Sequence, residues 1–426
     1  MKYAYKNGII LDGDEKMVAQ KGMVILTTDE RIDGIVKENA DTSGYEVVDL
    51  AGRYIMPGLI NLHVHLPASG KPKKKATDAK KLVKLMTSNK LMKKILVSMC
   101  ANYAKTQLMS GVTTIRTVGG VENADTIIRD RINSGEIVGP RILAANMAVS
   151  VPDGHMAGSL AYIANSPEQA VAYVGKIAED KPDLIKLMIT GGVLDAKVKG
   201  EPGVLKMSPE CVKAACDEAH KRGFMVAAHV ESPEGVRVAL ENGVDTIEHG
   251  AKPDKKIIDL FKKRGASLVA TLSPALPYAL FDREISRVTE MEQFNGDVVF
   301  EGIKDCACEC LKNGVKVGLG TDTGCPYITQ YDMWREINYF HKFCGVSNAF
   351  ALYTATKRNA EIVGIDKETG TIEPGKCADF IVTEKNPLDD LSALRDVKMV
   401  VTRGKIINAP KLKKMPEVEK ELDKFI

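Results

Sequence analysis

Eight short runs rich in aliphatic and β-branched residues follow one another between residues 59 and 324, and longer segments with helical periodicity separate them. The runs are LINLHVHL, VTTIRTV, PRILAANMAVS, LIKLMITGG, MVAAHVES, VDTIEHG, SLVATLS and VKVGLGTDTG. The SPE segments at residues 208–210 and 232–234 each predict a helix start, since a serine cap, a proline and an acid are typical of a first turn. Eight βα units in series predict an α/β fold, the parallel (β/α)8 barrel.

The two ends of the chain have a different pattern. Residues 1–56 and 368–412 consist of short alternating segments separated by turns rich in Gly, Asp and Asn, which predicts strands. We expect these two segments to build one small β-sandwich domain together. The barrel then occupies residues 57–367, and residues 413–426 form a C-terminal helix. A chain of 426 residues is long enough for one large domain and one small domain.

Charge balance and hydropathy exclude several classes of protein. The 59 basic and 56 acidic residues give a net charge of +3, whereas a dedicated nucleic-acid binder usually has a large basic excess. No apolar run reaches membrane-spanning length, and the N-terminus lacks a signal-peptide pattern. Nine cysteines without a framework spacing are typical of reduced thiols. We therefore expect a cytoplasmic protein with no nucleic-acid or membrane partner.

A lysine-rich segment, residues 71–94, follows the first predicted barrel strand. Near the mouth of a barrel such a segment could attract an anionic substrate. The interpretation that we favour is a solvated helix face around a stripe of Leu and Met.

Ionisable residues recur in five of the eight runs, near the point where each predicted strand ends. His63 and His65 share the first run, and a spacing of two places both side chains on the same face of a strand. Catalytic groups of this type of barrel come from the C-terminal ends of several strands, so we expect the set to converge. The set is His63, His65, Lys186, His229, His249 and Asp322.

These side chains are typical of a site for divalent metal ions. Imidazole and carboxylate groups bind Zn²⁺, and six ligands are too many for one tetrahedral ion but suit two. Lys186 is the least expected member, because a charged lysine in an apolar strand is costly without a partner. It can pair with an acid near Asp183. Alternatively, burial lowers its pKa and frees the amine to react with CO₂, which gives a carbamate that bridges two cations.

Two more residues are candidates for substrate binding. His155 follows the third run among glycines that let backbone approach a ligand, and it either donates to a substrate carbonyl or carboxylate or has no role. Glu231 lies two residues after His229, and an inward orientation would favour a cationic substrate group. His220 and His341 lie in helical segments and are interpreted as surface or packing residues.

The ordered set HxH, Lys, His, His, Asp resembles the amidohydrolase superfamily, and the resemblance covers nearly the whole chain. It includes the opening segment VVDLAGRYIMPGLINLHVHL and the closing segment TATKRNAEIVGIDKETGTIEPGKCADFIV. The KLMITGGV segment at Lys186 and the GH pair at His155 resemble the prolidase and imidazolonepropionase-related branch, whose members include zinc-dependent dipeptidases. Asn61 and Glu231 are departures, since the superfamily usually has Asp at the first position and dipeptidase-like members often have Tyr at the second.

The resemblance implies a role for each ligand-type residue. The HxH pair and Asp322 would hold one zinc ion, His229 and His249 would hold the second, and carboxylated Lys186 would bridge them. A hydroxide between the ions would attack the amide of a dipeptide, an N-acyl amino acid or a cyclic amide. Asp322 would shuttle a proton to the leaving nitrogen. We therefore expect a binuclear zinc amidohydrolase, with prolidase-like dipeptidase activity as the leading hypothesis.

Two other functions stay open on the sequence. A mononuclear deaminase of a heterocyclic base shares this fold, but it usually has no lysine at the position of Lys186. A metal-free scaffold protein on the same fold would have lost ligands, whereas all six positions are filled here. For the enzymatic functions we expect a small-molecule substrate and a homo-oligomeric assembly.

Overall fold

The computed structural model describes residues 1–72 and 78–426. Its strands lie in order along this part of the chain. They are β1 Lys2–Lys6, β2 Ile9–Leu11, β3 Ala19–Gln20, β4 Met23–Thr28, β5 Arg31–Lys37, β6 Glu46–Asp49, β7 Tyr54–Pro57, β8 Leu59–Val64, β9 Val112–Thr117, β10 Arg141–Leu143, β11 Ala148–Ser150, β12 Ala161–Ile163, β13 Leu184–Met188, β14 Met225–Val230, β15 Thr246–His249, β16 Ser267–Ala270, β17 Val317–Leu319, β18 Phe380–Thr383, β19 Met399–Thr402 and β20 Lys405–Asn408.

Most of the helices alternate with these strands. They are α1 Ala79–Met86, α2 Lys90–Met109, α3 Ala124–Asn133, α4 Pro167–Glu179, α5 Pro209–Lys221, α6 Pro233–Glu241, α7 Lys255–Arg264, α8 Leu272–Leu280, α9 Arg283–Ser286, α10 Glu290–Lys312, α11 Met333–Cys344, α12 Asn348–Tyr353, α13 Asn359–Ile362 and α14 Pro416–Leu422. The two predicted SPE starts are confirmed, because Ser208 caps α5 and Ser232 caps α6. Among the described helices, none combines the length and the apolar character needed to cross a bilayer.

Parallel strands form the large part of the molecule and confirm the predicted α/β class. One sheet has the order β10-β9-β8, and a second has the order β12-β11-β13-β14-β15-β16-β17. Strands β8, β13, β15 and β16 are buried along their whole length. Burial of this kind is expected when helices cover both faces of a parallel sheet.

The third predicted run is two strands rather than one. Strand β10 pairs with β9 in the first sheet, whereas β11 pairs with β12 and β13 in the second. Asn146, between them, has a left-handed φ of 61°, and its side chain accepts the N–H of Thr126 in α3. An amide side chain tolerates this conformation and here satisfies a helix N-terminus, so the strand is interrupted.

Strand β8 lies beside the segment that follows β17, which brings the first and the last of the eight runs together. The Asp322 N–H donates to the His63 carbonyl at 2.9 Å. Asn61 donates to the Thr321 hydroxyl at 2.8 Å and accepts the Thr321 N–H at 3.1 Å. Asn61 therefore joins the two edges with both groups of its amide. Strand pairing in the described residues gives two parallel sheets, and these contacts connect them.

The two ends of the chain share one sheet and one core. The order β20-β19-β18-β7-β2-β3 combines strands from both ends, and β18 is antiparallel to β7. A second sheet has the order β5-β4-β1-β6. Tyr5, Ile25, Phe380 and Val401 belong to one buried cluster. Residues near both termini must therefore be in place before this core is complete.

The lysine-rich segment forms α1 and the beginning of α2, and residues 73–77 lie outside the described residues. Leu82, Leu85 and Leu91 are 44%, 57% and 67% exposed, while Val83 and Met86 pack against the large core. The predicted stripe of Leu and Met is thus only partly covered. The lysines that flank it face solvent, as expected for a solvated helix face.

Arg335 on α11 attaches the C-terminal helix to the large core. Its guanidinium is fully buried, and it lies 2.6 Å from Asp332, 3.0 Å from Glu419 and 2.5 Å from Asp423. Glu419 belongs to α14, and Asp423 follows that helix. The last residues of the chain are therefore held by a buried charge as well as by apolar packing.

We expect Arg335→Met to lower the free energy of unfolding by about 3–5 kcal/mol, because the buried Asp332 carboxylate loses its cation, whereas Glu419 and Asp423 keep Arg395. Urea denaturation followed by circular dichroism measures this change. Lys213→Met is the control, since Lys213 and Asp217 form an exposed pair whose loss should cost less than about 1 kcal/mol. Equal losses in the two variants would contradict a structural role for the buried network.

Candidate metal centre

The strand ends bring the predicted histidines and Asp322 into one buried cluster. Asp322 Oδ1 lies 3.5 Å from His63 Nε2 and 3.2 Å from His65 Nε2. The ring centroids of His63 and His249 are 4.8 Å apart, and those of His229 and His249 are 4.6 Å apart. Ligand atoms of His63, His249 and Asp322 all lie within 4.8 Å of one another, which is compatible with a shared cation.

Each of the four imidazoles has one nitrogen held by a hydrogen bond outside the cluster. The contacts are His63 Nδ1 with Glu248 Oε2 at 2.8 Å, His65 Nδ1 with the Gly119 carbonyl at 2.8 Å, His229 Nε2 with the Gly191 carbonyl at 3.2 Å, and His249 Nδ1 with Thr271 Oγ1 at 2.6 Å. A carboxylate or a carbonyl only accepts, so the ring nitrogen that contacts it carries the proton. The other nitrogen then has a free lone pair, which is the form that binds a metal.

Several polar atoms inside the cluster lack a hydrogen-bond partner in the described part of the chain. They include Lys186 Nζ and Asp322 Oδ1, and both residues are buried. Buried polar groups are normally paired, because desolvation without a partner is costly. Free imidazole nitrogens, an unpartnered carboxylate oxygen and an unpartnered amine form a donor set that fits divalent cations such as Zn²⁺.

Burial sets the protonation states that metal binding requires. It lowers the pKa of Lys186 from 10.5 to about 8 and that of His63 from 6.5 to about 4. The pKa values of His229 and His249 are likewise well below the ordinary value because both rings are desolvated. Burial alone would raise the pKa of Asp322, but the neighbouring histidines outweigh it and keep the carboxyl ionised. At neutral pH His63, His229 and His249 are therefore neutral imidazoles.

Two of the predicted ligands have a left-handed backbone, His249 with φ of 71° and Asp322 with φ of 53°. Such conformations are uncommon outside glycine and are found at functional sites. In a strand, neighbouring side chains point to opposite faces. The turn at the end of β15 allows Glu248 and His249, which are consecutive, both to contact the same cluster.

Asp183 is not the partner of Lys186, so the predicted structural pair is wrong. The Asp183 carboxylate lies 2.8 Å from Arg129 Nη1 and accepts the Ala144 N–H at 2.7 Å. Asp183 precedes β13 and faces α3, whereas Lys186 lies in the middle of the strand. The charged groups that act on the Lys186 amine are Glu248, Asp322 and a buried arginine.

His155 lies at the edge of the cluster. Its ring stacks on His229 with centroids 4.1 Å apart and an angle of 5° between the planes. Its Nδ1 lies 2.5 Å from Asp195, which also accepts the Gly192 N–H at 3.0 Å. The structure therefore brings His155 next to a predicted ligand and gives it an oriented ring.

Glu231 also points towards the cluster, and its Oε2 is buried without a hydrogen-bond partner among the described residues. Burial, Asp322 and Asp195 raise the pKa of Glu231 from 4.5 to about 8. A Cβ atom at Gly192 would lie 3.3 Å from His155 Nδ1 and 3.4 Å from Glu231 Oε2. The glycine thus leaves space between the two predicted substrate-binding residues.

The remaining predicted histidines lie outside the cluster. His220 Nε2 contacts Asp245 at 2.8 Å, and His341 Nδ1 contacts the Val346 carbonyl at 2.6 Å. Both are at least partly exposed. These contacts agree with surface or packing roles.

Sequence reasoning missed the residues that contact the ligands from behind, above all Glu248, Arg116 and Thr271. Glu248 is 2.8 Å from His63, and Arg116 is 2.6 Å from Glu248. A signal was present, because Arg116 and Glu248 are charged residues inside the strand segments VTTIRT and TIEH. Charges at such positions need buried partners.

Comparisons with known proteins agree with this geometry. The model described as "Amidohydrolase family" matches residues 54–407. The structure of a proposed prolidase from Bifidobacterium longum is similar, with a TM-score of 0.88 and 35% identity over 99% of this chain and 98% of that one. Ochratoxinase from Aspergillus niger is 26% identical over 333 residues, 71% of this chain and 67% of the relative. A 5-methylthioadenosine/S-adenosylhomocysteine deaminase from Bacillus cereus is 23% identical over 440 residues, 95% of this chain and 93% of the relative.

We expect Lys186→Met to stabilise the metal-free protein at neutral pH by about 1–3 kcal/mol, because it removes a buried amine that lacks a partner. The Lys186 pKa, about 8, is below 10.5, so the unfolded chain binds more protons between these values. The stability of the metal-free wild type should therefore rise with pH across this range, and the variant should lose that rise. Urea denaturation at several pH values measures both effects. An unchanged pH dependence in the variant would contradict them.

Proposed function

The chain belongs to the amidohydrolase family, and from this premise we propose that it is a binuclear metal hydrolase that cleaves the amide C–N bond of a dipeptide, an N-acyl amino acid or a cyclic amide. The observation that carries the proposal is the convergence of four imidazoles, the Asp322 carboxylate and the Lys186 amine in one buried cluster. Each imidazole has one ring nitrogen hydrogen-bonded outside the cluster, which leaves the other nitrogen for a cation.

Two cation positions account for the ligand set. The first would be held by His63, His65 and Asp322, the second by His229 and His249, with Lys186 as a carbamate between them. Bound divalent cations lower the pKa of a coordinated water and polarise a carbonyl oxygen. The lowered pKa of Lys186 supports carbamate formation, since only the neutral amine reacts with CO₂.

Asp322 is the proposed proton shuttle. Its carboxylate is kept ionised by the neighbouring histidines, so it can accept a proton from the attacking water. It can then return that proton to the leaving nitrogen. The Cys325 thiol contacts one carboxylate oxygen of Asp322, Oδ2, at 3.6 Å, and the other oxygen, Oδ1, faces His63 and His65.

His155 and Glu231 are the proposed substrate contacts. Asp195 accepts from His155 Nδ1, so His155 would donate from Nε2 to a substrate carbonyl or carboxylate as a ring that carries both protons, with Asp195 balancing its charge. Glu231 Oε2 is buried without a hydrogen-bond partner among the described residues, and burial, Asp322 and Asp195 raise the Glu231 pKa to about 8. A cationic substrate group beside this carboxyl would favour its ionised form, which supports a preference for such a group. The likeness to a proposed prolidase supports a dipeptide as the leading substrate class.

We extend the proposal to the architecture and the assembly. The contacts between β8 and the segment after β17 support one (β/α)8 barrel over residues 57–367. The shared sheet supports a small β-sandwich from residues 1–56 and 368–412, followed by the C-terminal helix in residues 413–426. A homo-oligomer in the cytoplasm remains our prediction.

Deamination of a heterocyclic base by a single metal ion is the second candidate function. The likeness to the Bacillus cereus deaminase favours it, since that match covers 95% of the chain. Lys186 favours the binuclear hydrolase, because a buried amine without a partner has no role in a site with one cation. Release of ammonia from 5-methylthioadenosine, without hydrolysis of any dipeptide, would establish the second function instead.

We expect the purified protein to contain two equivalents of zinc, and we expect Asp322→Asn to keep metal but lose most of its turnover. Loss of a proton shuttle is typically worth about 10²–10⁴-fold in rate. Elemental analysis gives the metal content, and kinetics with dipeptides and N-acyl amino acids gives the turnover. An Asp322→Asn variant with full activity would remove Asp322 from this role.

We expect Glu231→Gln to reduce the preference for cationic over neutral substrates by about tenfold, because a hydrogen bond to a charged group contributes about 1.5–3 kcal/mol. A panel of dipeptides with matched Lys and Leu side chains measures the ratio of kcat/KM values. Glu234→Gln, a nearby exposed position, is the control. An unchanged charge preference would rule out this role, and metal analysis of the variant shows whether Glu231 is instead a ligand.

A further inference from the structure

A buried ion pair lies directly behind His63. Arg116 on β9 is 2% exposed, and Glu248 on β15 is fully buried. Arg116 Nη2 donates to Glu248 Oε1 at 2.6 Å, and Glu248 Oε2 contacts His63 Nδ1 at 2.8 Å. The three residues form a continuous chain from the interior of the protein to the ring that faces Asp322.

The remaining contacts of the pair fix its orientation. Arg116 Nε donates to the Leu62 carbonyl at 2.8 Å, and Nη1 donates to the Thr246 hydroxyl at 3.0 Å. The Thr246 hydroxyl in turn donates to Glu248 Oε1 at 2.7 Å. One carboxylate oxygen is therefore committed to Arg116 and Thr246, and only the other is available to His63.

We propose that Arg116 and Glu248 act as a positioning unit that sets the tautomer of His63 and thereby the affinity of the first cation position. The inference rests on the proposed function in one respect, that His63 is a metal ligand. A carboxylate oxygen only accepts hydrogen bonds, so it requires the proton on Nδ1 and leaves Nε2 free for a cation. Outer partners of this kind commonly change metal affinity by about 10–100-fold.

Glu248→Gln tests the idea because an amide cannot satisfy both neighbours. Arginine always donates, so the amide oxygen must face Arg116 and the NH₂ group must face His63. His63 Nδ1 would then accept, and the ring proton would move to Nε2, the atom that points towards Asp322. The variant keeps the shape of the side chain but imposes the wrong tautomer on the ligand.

The first experiment is a titration of the metal-free protein with Zn²⁺ in the presence of a competing chelator. We expect Glu248→Gln to lose about 10–100-fold in affinity for one of the two zinc equivalents, with the second little changed. Asp379→Asn is the matched control. Asp379 is a buried carboxylate that immediately precedes β18, and it accepts hydrogen bonds from the Thr369 hydroxyl and the Arg403 N–H. Wild-type affinity for both equivalents in Glu248→Gln would overturn the inference.

A second measurement uses the wild-type protein and does not depend on whether Glu248→Gln folds. Side-chain ¹⁵N NMR of the metal-free wild type reports which nitrogen of His63 carries the proton, with the signal assigned by its absence in His63→Gln. A proton on Nδ1 is expected, and a proton on Nε2 would overturn the inference. If the wild type bound no zinc, the proposed function would fail, whereas this measurement would still decide the tautomer.

Discussion

Desolvation of charged and imidazole groups at the ends of parallel strands is the constraint on which this structure depends. Lys186, Glu248 and Arg116 have almost no solvent contact, and each charge must be balanced inside the protein. Burial alone would raise the pKa of Glu248, but Arg116 and the His63 hydrogen bond outweigh it and hold the pKa well below its ordinary value. The carboxylate therefore stays charged and can hold a neutral imidazole in one orientation.

The sequence allowed the clustering of the four histidines and Asp322 to be predicted, because strand ends and the HxH spacing are local features, whereas Lys186 lies in the middle of β13. Side-chain pairing could not be predicted, because it depends on which strands become neighbours. Arg116 and Glu248 are 132 positions apart in the chain, and only the assembled sheets bring them together. Asp183 failed as a partner of Lys186 for the same reason, since nearness in sequence did not place it on the same side of the strand.

Local signals also failed where a side chain satisfied a backbone group. The pattern of the third run predicts one strand. The Asn146 side chain instead accepts the Thr126 N–H in the first turn of α3, and the run divides between two sheets. Asn61, which departs from the residue usual in the family, uses both amide groups to join the first and last runs. An ionised aspartate in the same place could accept but not donate, so the donor bond to the Thr321 hydroxyl requires the amide of Asn61.

The two proposed cation positions have different outer supports. His63 is held by a carboxylate that is itself paired with an arginine, whereas His249 is held by the Thr271 hydroxyl at the start of α8. The N-terminus of α8 is in turn fixed by Glu336, a buried carboxyl whose pKa burial raises to about 7 and which accepts the Leu272 and Ser273 N–H groups. A charged acceptor makes an imidazole a stronger ligand than a neutral hydroxyl does. The asymmetry of these supports would therefore make His63 a stronger ligand of the first proposed position than His249 is of the second.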